Sequence, residues 1–324
     1  MAQQKSVVRR RNLPMSSAEG AWHALVLDVE QPARPALRVE AAGRGLLVLR
    51  HGTEIVLLAS VADDRFGVAY ATTGQHRPPV APIRAAQAAA FGTADAGGVW
   101  RGRWAHHFAA ALSGTADGPL HAGRWVIGGD VARPDGDAAR HRTPVLLPHD
   151  RGWGDWFSGD RRRQILPLRP LANPEAGRVR AYRKQFREGM LPPVLLWWIS
   201  GLDCPVVLDG HDRLVAAVAE DGLPPVLMLS LVDQHQVDVD TDTTVRRYAT
   251  TAQTVRHQVS AGTPGAAEAL AAVHRRLARD LRGVETGYGT TRAWPLRGGP
   301  ATWHRLAEAH VPDWHTEISA ADGA

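Results

Sequence analysis

Apolar positions along this chain follow two rhythms. Up to about residue 61 they come in short blocks: His23 to Val29, Leu46 to Arg50 and Glu54 to Val61 read as strands, punctuated by Gly43, Gly45 and His51-Gly52. The short link Arg50-His51-Gly52-Thr53 predicts a hairpin. Between Gln75 and Pro148 the pattern predicts one helical piece over Pro82 to Phe91 and another over Trp104 to Leu112, with many Gly, Asp and Pro breaks. Gly128 to Asp150 is polar and loop-like and marks a boundary between domains.

Beyond that boundary the apolar blocks become denser. Ile165 to Leu171 reads as extended, and Asn173-Pro174-Glu175 starts a helix to Glu188 on which Val179, Tyr182 and Phe186 form one buried stripe. Arg180, Arg183, Lys184 and Arg187 then fall on solvated faces. Val194 to Ile199, a turn at Gly201 and Val206 to Leu208 form a second hairpin; Leu214 to Glu220 is a helix and Pro225 to Leu231 a strand. Trp197 and Trp198 alternate faces, so at most one of them needs burial and the other could stack on a base, although packing is the favoured reading for both. Asp238, Asp240 and Asp242 share one side if their segment is extended, or form an acidic loop before a helix from Thr244 to Gln258. Ala266 to Leu281 is helical with Leu270, Val273, Leu277 and Leu281 inward, and a last helix spans Ala301 to His310.

The elements together predict an α/β (α+β) chain. Residues 1–19 form a disordered basic arm around Arg9-Arg10-Arg11, residues 20–150 a β-rich unit, residues 151–233 a mixed α/β domain and residues 234–324 a helical region. At 324 residues and 35.0 kDa the chain has room for two or three domains. Its longest apolar stretches, Pro192 to Ile199 and Pro224 to Val232, fall short of the roughly 20 residues a membrane helix needs. No apolar core follows the N-terminal arginines, so no signal peptide is expected. The one cysteine, Cys204, allows no internal disulfide and no cysteine zinc cage, which makes the cytoplasm the expected home. Adjacent His106 and His107 point to different helix faces, which disfavours a metal site there.

Net charge is +5, carried almost wholly by arginine. Between Arg151 and Met190 ten basic residues face four acidic ones, so this stretch alone accounts for the positive surplus of the whole chain. Within it, Trp153, Trp156 and Arg161-Arg162-Arg163 form the candidate stretch for base stacking or nucleic-acid contact.

The sharpest candidate chemistry is Asp209-Gly210-His211-Asp212-Arg213, set between a strand and a helix. The first N–H groups of a helix have no intrahelical partners and carry the positive end of its dipole. Gly210 lets an anion approach the backbone, and His211 and Arg213 add donors beside it. A capped turn would use the same residues.

From about Leu166 to Val232, the residues Leu191-Pro192-Pro193-Val194, Val207 to Leu214 and Ala216-Ala217, with the order of their elements, resemble the ParB/sulfiredoxin superfamily. In that superfamily a helix ending in Gly, a Pro-led strand, a strand ending in a Gly-x-x-Arg box and a following helix hold the phosphates of ATP or CTP. The resemblance implies a central ParB/sulfiredoxin-like nucleotide-binding domain. Gly210 and the following amides would cradle phosphates, with Asp212 in the loop, and His211 and Arg213 would contact them. Asp209 would orient the loop or assist a metal or an acceptor hydroxyl. The Asp-Gly-His-x-Arg form is similar to the free-serine-kinase-like members, whereas partitioning proteins carry Gly-Glu-Arg-Arg. Sulfiredoxin chemistry needs a cysteine in the box, and Cys204 lies outside it.

These observations lead to the expectation of a protein that binds ATP or CTP with magnesium and transfers a phosphoryl group to a small hydroxyl-bearing substrate, or hydrolyses the nucleotide. Asp209, His211 and Arg213 are its catalytic candidates, Asp209 or Asp240 its magnesium candidates, and Asp203, Asp209 and Asp212 its candidate bases. The alternative is a nucleotide-switched, ParB-like nucleic-acid-binding protein without small-molecule catalysis.

Overall fold

The computed structural model describes residues 8–14, 22–62, 67–94, 98–128, 145–155, 164–285 and 289–314. Two six-stranded mixed sheets dominate it, consistent with the α+β expectation. The first is built from β1 (Val8–Pro14), β2 (Trp22–Val29), β7 (Gly123–Gly128), β13 (Val226–Leu231), β11 (Val194–Ile199) and β12 (Cys204–Asp209), in that order. Only the β13–β11 pair is parallel; its neighbours run antiparallel. The second sheet has the order β14 (Ala293–Pro295), β3 (Leu37–Gly43), β4 (Leu46–His51), β5 (Glu54–Ala62), β6 (Gly67–Thr72), β9 (Arg151–Asp155). The β4–β5 and β11–β12 hairpins form as the sequence predicts.

One core lies between these sheets. Leu25, Leu27, Leu195, Trp197 and Leu229 face it from the first sheet, and Val39, Leu49 and Leu57 from the second. Helix α2 (Val99–Gly114) fills it with Trp100, Trp104 and Phe108. Burying each such side chain contributes about 1.5–3 kcal/mol. The outer face of the second sheet is covered by α7 (Gly299–His310), whose Trp303 packs against Val48, Ile55 and Leu58. Burial on both faces explains why β5 reads as a continuous apolar run and not as an alternation.

The same cause decides between stacking and packing for Trp197 and Trp198, in favour of the packing the sequence favoured. Strand β11 is internal to its sheet, so Trp197 enters the common core while Trp198 packs with Val194, Leu196, Val207 and Leu214 on the opposite face. Both are buried, and neither is available to stack on a ligand.

The first 19 residues are not wholly a disordered arm. Residues 8–14 form β1, an edge strand that pairs Arg9 with Asp28 and Arg11 with Val26, and Leu13 is buried beside Ala24 and Val126. The arginines mask a strand because only one face of this edge is covered. The expected boundaries at 150 and 233 do not separate the sheets: β7 sits between β2 and β13, β9 pairs with β6, and β14 pairs with β3. Most of the loop proposed as a domain boundary lies outside the described residues.

Two short strands, β8 (Val145–Leu146) and β10 (Gln164–Ile165), pair in parallel, and Leu166 bridges to Val206 on the free side of β12. Helix α1 (Ala85–Phe91) and helix α3 (Gly177–Arg187) each begin three residues after the predicted starts. For α3, Asn173 Oδ1 accepts the Glu175 N–H and holds Pro174-Glu175 in a turn. Arg183 and Arg187 are not simply solvated: both donate to Glu220 Oε1, at 2.6 and 2.7 Å. Helix α4 (His211–Val218) packs on α3 through Val215, Ala216, Val179 and Tyr182.

Near the C-terminus α5 (Gln234–Ser260) and α6 (Ala266–Glu285) form a helical hairpin. Arg247 donates to Asp280 and the Tyr248 and His274 rings meet at 5.9 Å. Helix α5 starts ten residues before the predicted Thr244 and absorbs Asp238 to Asp242. At 100° per residue Asp240 then points away from Asp238 and Asp242, so the three carboxylates share no side.

Candidate functional site

Strand β12 ends at Asp209, and the chain turns into α4 through Gly210, whose φ of 102° and ψ of 26° place it in the left-handed region. Only glycine enters that region without strain. The Leu214 N–H donates to the Gly210 carbonyl at 2.9 Å, so the amides of His211, Asp212 and Arg213 precede the first intrahelical bond of this helix. The predicted junction is therefore present, and it opens on a cleft of about 230 Å³.

The cleft is lined by residues 209–213, by Arg169, Arg178 and Tyr182, and by an apolar wall of Pro78, Val80, Pro82 and Ile83. Arg169 arrives from the extended segment after β10, Arg178 and Tyr182 from α3, and the wall from the loop between β6 and α1. Sequence reading missed all of these except the box itself. The available signals were Pro78, Pro79 and Pro82 after His76-Arg77, a rigid segment inside a region otherwise hard to assign, and Arg169 held between Pro167 and Pro170.

Arg213 is almost fully buried. Its Nη2 donates to Asp209 Oδ2 at 2.5 Å, and its guanidinium folds back over Gly210, where a Cβ would sit 2.6 Å from Nη2 and 2.8 Å from Nε. The space that glycine leaves open is thus taken by the arginine, not by direct access of a ligand to the Gly210 Cα. Asp212 is bridged by two cations: Arg169 Nη2 donates to Oδ1 at 3.1 Å, and Arg178 Nε lies 3.5 Å from Oδ2.

His211 is fully buried and its Nε2 accepts the Leu168 N–H at 3.2 Å. Burial holds its pKa well below the usual histidine range, with His76, Arg169 and Arg213 adding in the same direction. The ring is neutral and its proton is on Nδ1, so it offers a donor without adding charge. His76, 5.7 Å away between ring centroids, donates its Nε2–H to the Leu208 carbonyl at 2.9 Å. Burial pushes its pKa down to about 4, only partly opposed by that hydrogen bond.

Three N–H donors of cleft-lining residues are buried without an acceptor among the described residues: His211 Nδ1, Arg169 Nε and Arg213 Nε. Leaving a buried donor unpaired costs about 1–3 kcal/mol. Such a set is completed by an acceptor from outside the chain, and an anion is the acceptor that several cationic donors favour.

The other sequence candidates lie elsewhere. Asp203 stands in the β11–β12 turn, six positions before Asp209 at the cleft, a separation of about 20 Å at roughly 3.3 Å per residue. It is no base for chemistry at the box. Asp240 is on α5 and does not line the cleft. Trp153 is 40% exposed on β9 with its ring against Gly67, on the second sheet. Trp156 and Arg161, Arg162 and Arg163 lie outside the described residues. His106 meets Asn12 Oδ1 at 2.9 Å and His107 Nδ1 accepts from Gln87 at 3.0 Å.

The magnesium implied by the resemblance does not fit the carboxylates of this cleft. A magnesium ion wants unencumbered oxygens in an octahedron at about 2.0–2.1 Å. Here Asp209 is engaged by Arg213 and both oxygens of Asp212 face guanidinium groups. Among the described residues no group of three or more His, Cys, Asp or Glu side chains is placed to hold a metal. No described helix is long and apolar enough to cross a membrane. No protein-family model, curated protein or solved structure matches the chain.

Proposed function

We propose that this cleft binds the phosphates of a nucleotide, ATP or CTP, and supports phosphoryl transfer to a small hydroxyl-bearing molecule or hydrolysis of the nucleotide. The observation that carries the reading is the convergence of His211 Nδ1–H, Arg169 Nε–H and Arg213 Nε–H, all unpaired, on residues around the start of α4. Phosphate oxygens match that set in charge, in number of lone pairs and in preference for a helix N-terminus. A cleft of about 230 Å³ is below the roughly 300–1,000 Å³ of sites that enclose a whole drug-sized ligand, so it suits the phosphoryl end, with the nucleoside outside.

Catalysis in this reading rests on position and charge, as phosphoryl transfer generally does. Arg213 and Arg169 stabilise charge on the transferred group, the amides of residues 211–213 fix its orientation, and the neutral His211 donates without changing charge. Asp209 and Asp212 hold the guanidinium groups in place. The wall of Pro78, Val80, Pro82 and Ile83 keeps one side of the cleft dry, which strengthens each of these interactions. The resemblance to the free-serine-kinase-like members supports kinase chemistry over a passive site.

The test is a thermal-shift screen of nucleotides against the native chain and Arg213→Ala. A rise in melting temperature with ATP or CTP, lost in the folded variant, supports the reading. No shift with any nucleotide overturns it. Release of ADP stimulated by a small hydroxyl metabolite separates transfer from binding alone.

A further inference from the structure

We infer that the cleft neutralises its phosphate ligand with arginine and takes it without a divalent cation. The inference rests on the phosphate-binding reading above and concerns how the charge is met.

Three arginines and two carboxylates line the cleft, Arg169, Arg178 and Arg213 against Asp209 and Asp212. With His211 neutral, the lining carries one net positive charge. A magnesium site would need the reverse excess, because the ion is held by carboxylate oxygens together with substrate phosphates. Recruiting Asp209 as a ligand would break its 2.5 Å bond to Arg213 Nη2, and would leave a guanidinium whose side chain is 3% exposed without its counter-charge. An uncompensated buried charge is among the most destabilising changes a protein can undergo. Recruiting Asp212 would release both Arg169 and Arg178 into the space the metal would occupy.

A phosphate needs none of these rearrangements. The unpaired Nε–H groups of Arg213 and Arg169 are buried at the cleft, so its oxygens reach them through a shift of these two side chains in which Nη2 of each arginine keeps its carboxylate. The two aspartates are then positioning residues: they hold the planar guanidinium groups in orientation and do not touch the ligand. Arginine suits this task because one guanidinium offers separate donors to two acceptors at once.

The experiment is isothermal titration of the native chain with ATP, with CTP and with inorganic phosphate, once in EDTA and once in magnesium chloride. The same titrations are made on Asp212→Asn, with the ligand-free melting temperature recorded. Equal binding in the two buffers, within about threefold, is expected, since the guanidinium groups supply the counter-charge. In Asp212→Asn binding in EDTA falls, because Arg169 and Arg178 lose the carboxylate that orients them, and the fall is the same size in magnesium chloride. Binding that needs magnesium overturns the inference, as does a fall in Asp212→Asn, with unchanged melting, that appears only when magnesium is present. Failure to bind in either buffer rejects the phosphate reading itself. The buffer comparison uses the native chain, so it decides the matter even if the variant does not fold.

Discussion

His76 Nε2 donates to the backbone carbonyl of Leu208 at 2.9 Å, across 132 residues of chain. Leu208 lies two residues before Gly210, and His76 lies two residues before Pro78, where the apolar wall begins. One buried hydrogen bond therefore fastens the wall of the cleft to the strand that delivers the box. Replacing His76 by Phe keeps the bulk and removes the donor. The Leu208 carbonyl then loses this donor, and unfolding in urea should show a loss of about 1–3 kcal/mol.

Stability should depend on pH in the same region. In the unfolded chain His76 titrates near 6.5; in the folded protein burial holds it at about 4. Between those values the unfolded chain binds a proton that the folded chain excludes, so stability rises with pH. The contribution is complete above pH 6.5 and is lost as pH falls toward 4, amounting to about 3 kcal/mol for His76 alone. His211, depressed in the same direction, adds to the loss. Chemical denaturation between pH 4 and 7 on the native chain and on His76→Phe measures it: the variant should show the shallower slope.

Above pH 7 the two histidines remain neutral. Nucleotide affinity should accordingly be flat from about pH 7 to 8.5, where the phosphate is also fully ionised. A tenfold fall in affinity over that range would show that a titrating group contacts the ligand, contrary to the neutral donor described at His211.

Gly210→Ala meets two obstacles at once. The left-handed backbone at φ 102° costs a side chain about 1–2 kcal/mol. The added Cβ also falls within 3.0 Å of three guanidinium atoms of Arg213, which must move away from Asp209. Loss of nucleotide binding is expected together with a lower melting temperature.

Arg213→Lys tests shape separately from charge. A lysine keeps the positive charge beside Asp209 and has no Nε–H that stays on a ligand while a second group holds the carboxylate. Affinity for ATP or CTP should fall by about tenfold or more, measured by titration. Retention of full affinity would mean that charge alone binds the ligand.

The hairpins, the box and the order of α3, β11, β12, α4 and β13 were legible because each rests on local pattern: short apolar blocks, a Pro-led strand, a Gly between strand and helix. Four things were not. Edge strand β1 is written in arginines, since one uncovered face imposes no apolar alternation. The two tryptophans of β11 read as half-exposed because nothing in a six-residue block tells a covered face from an open one. The cleft's arginines and its wall come from segments 30 to 130 residues distant in sequence, and their meeting at Asp209 to Arg213 depends on sheet order. The protonation state of His211 was hidden for the same reason, since its burial and its bond to Leu168 are tertiary facts.

The order of strands has a consequence for the making of the protein. Strand β7 is finished at residue 128 and its partner β13 begins at residue 226, while β3, complete by residue 43, receives β14 only from residue 293. At about 5–20 residues per second a ribosome takes roughly 5–20 s to supply the strand that closes the β7 edge. During that interval the growing chain exposes an apolar strand edge of the kind that chaperones shield and that invites pairing between nascent chains.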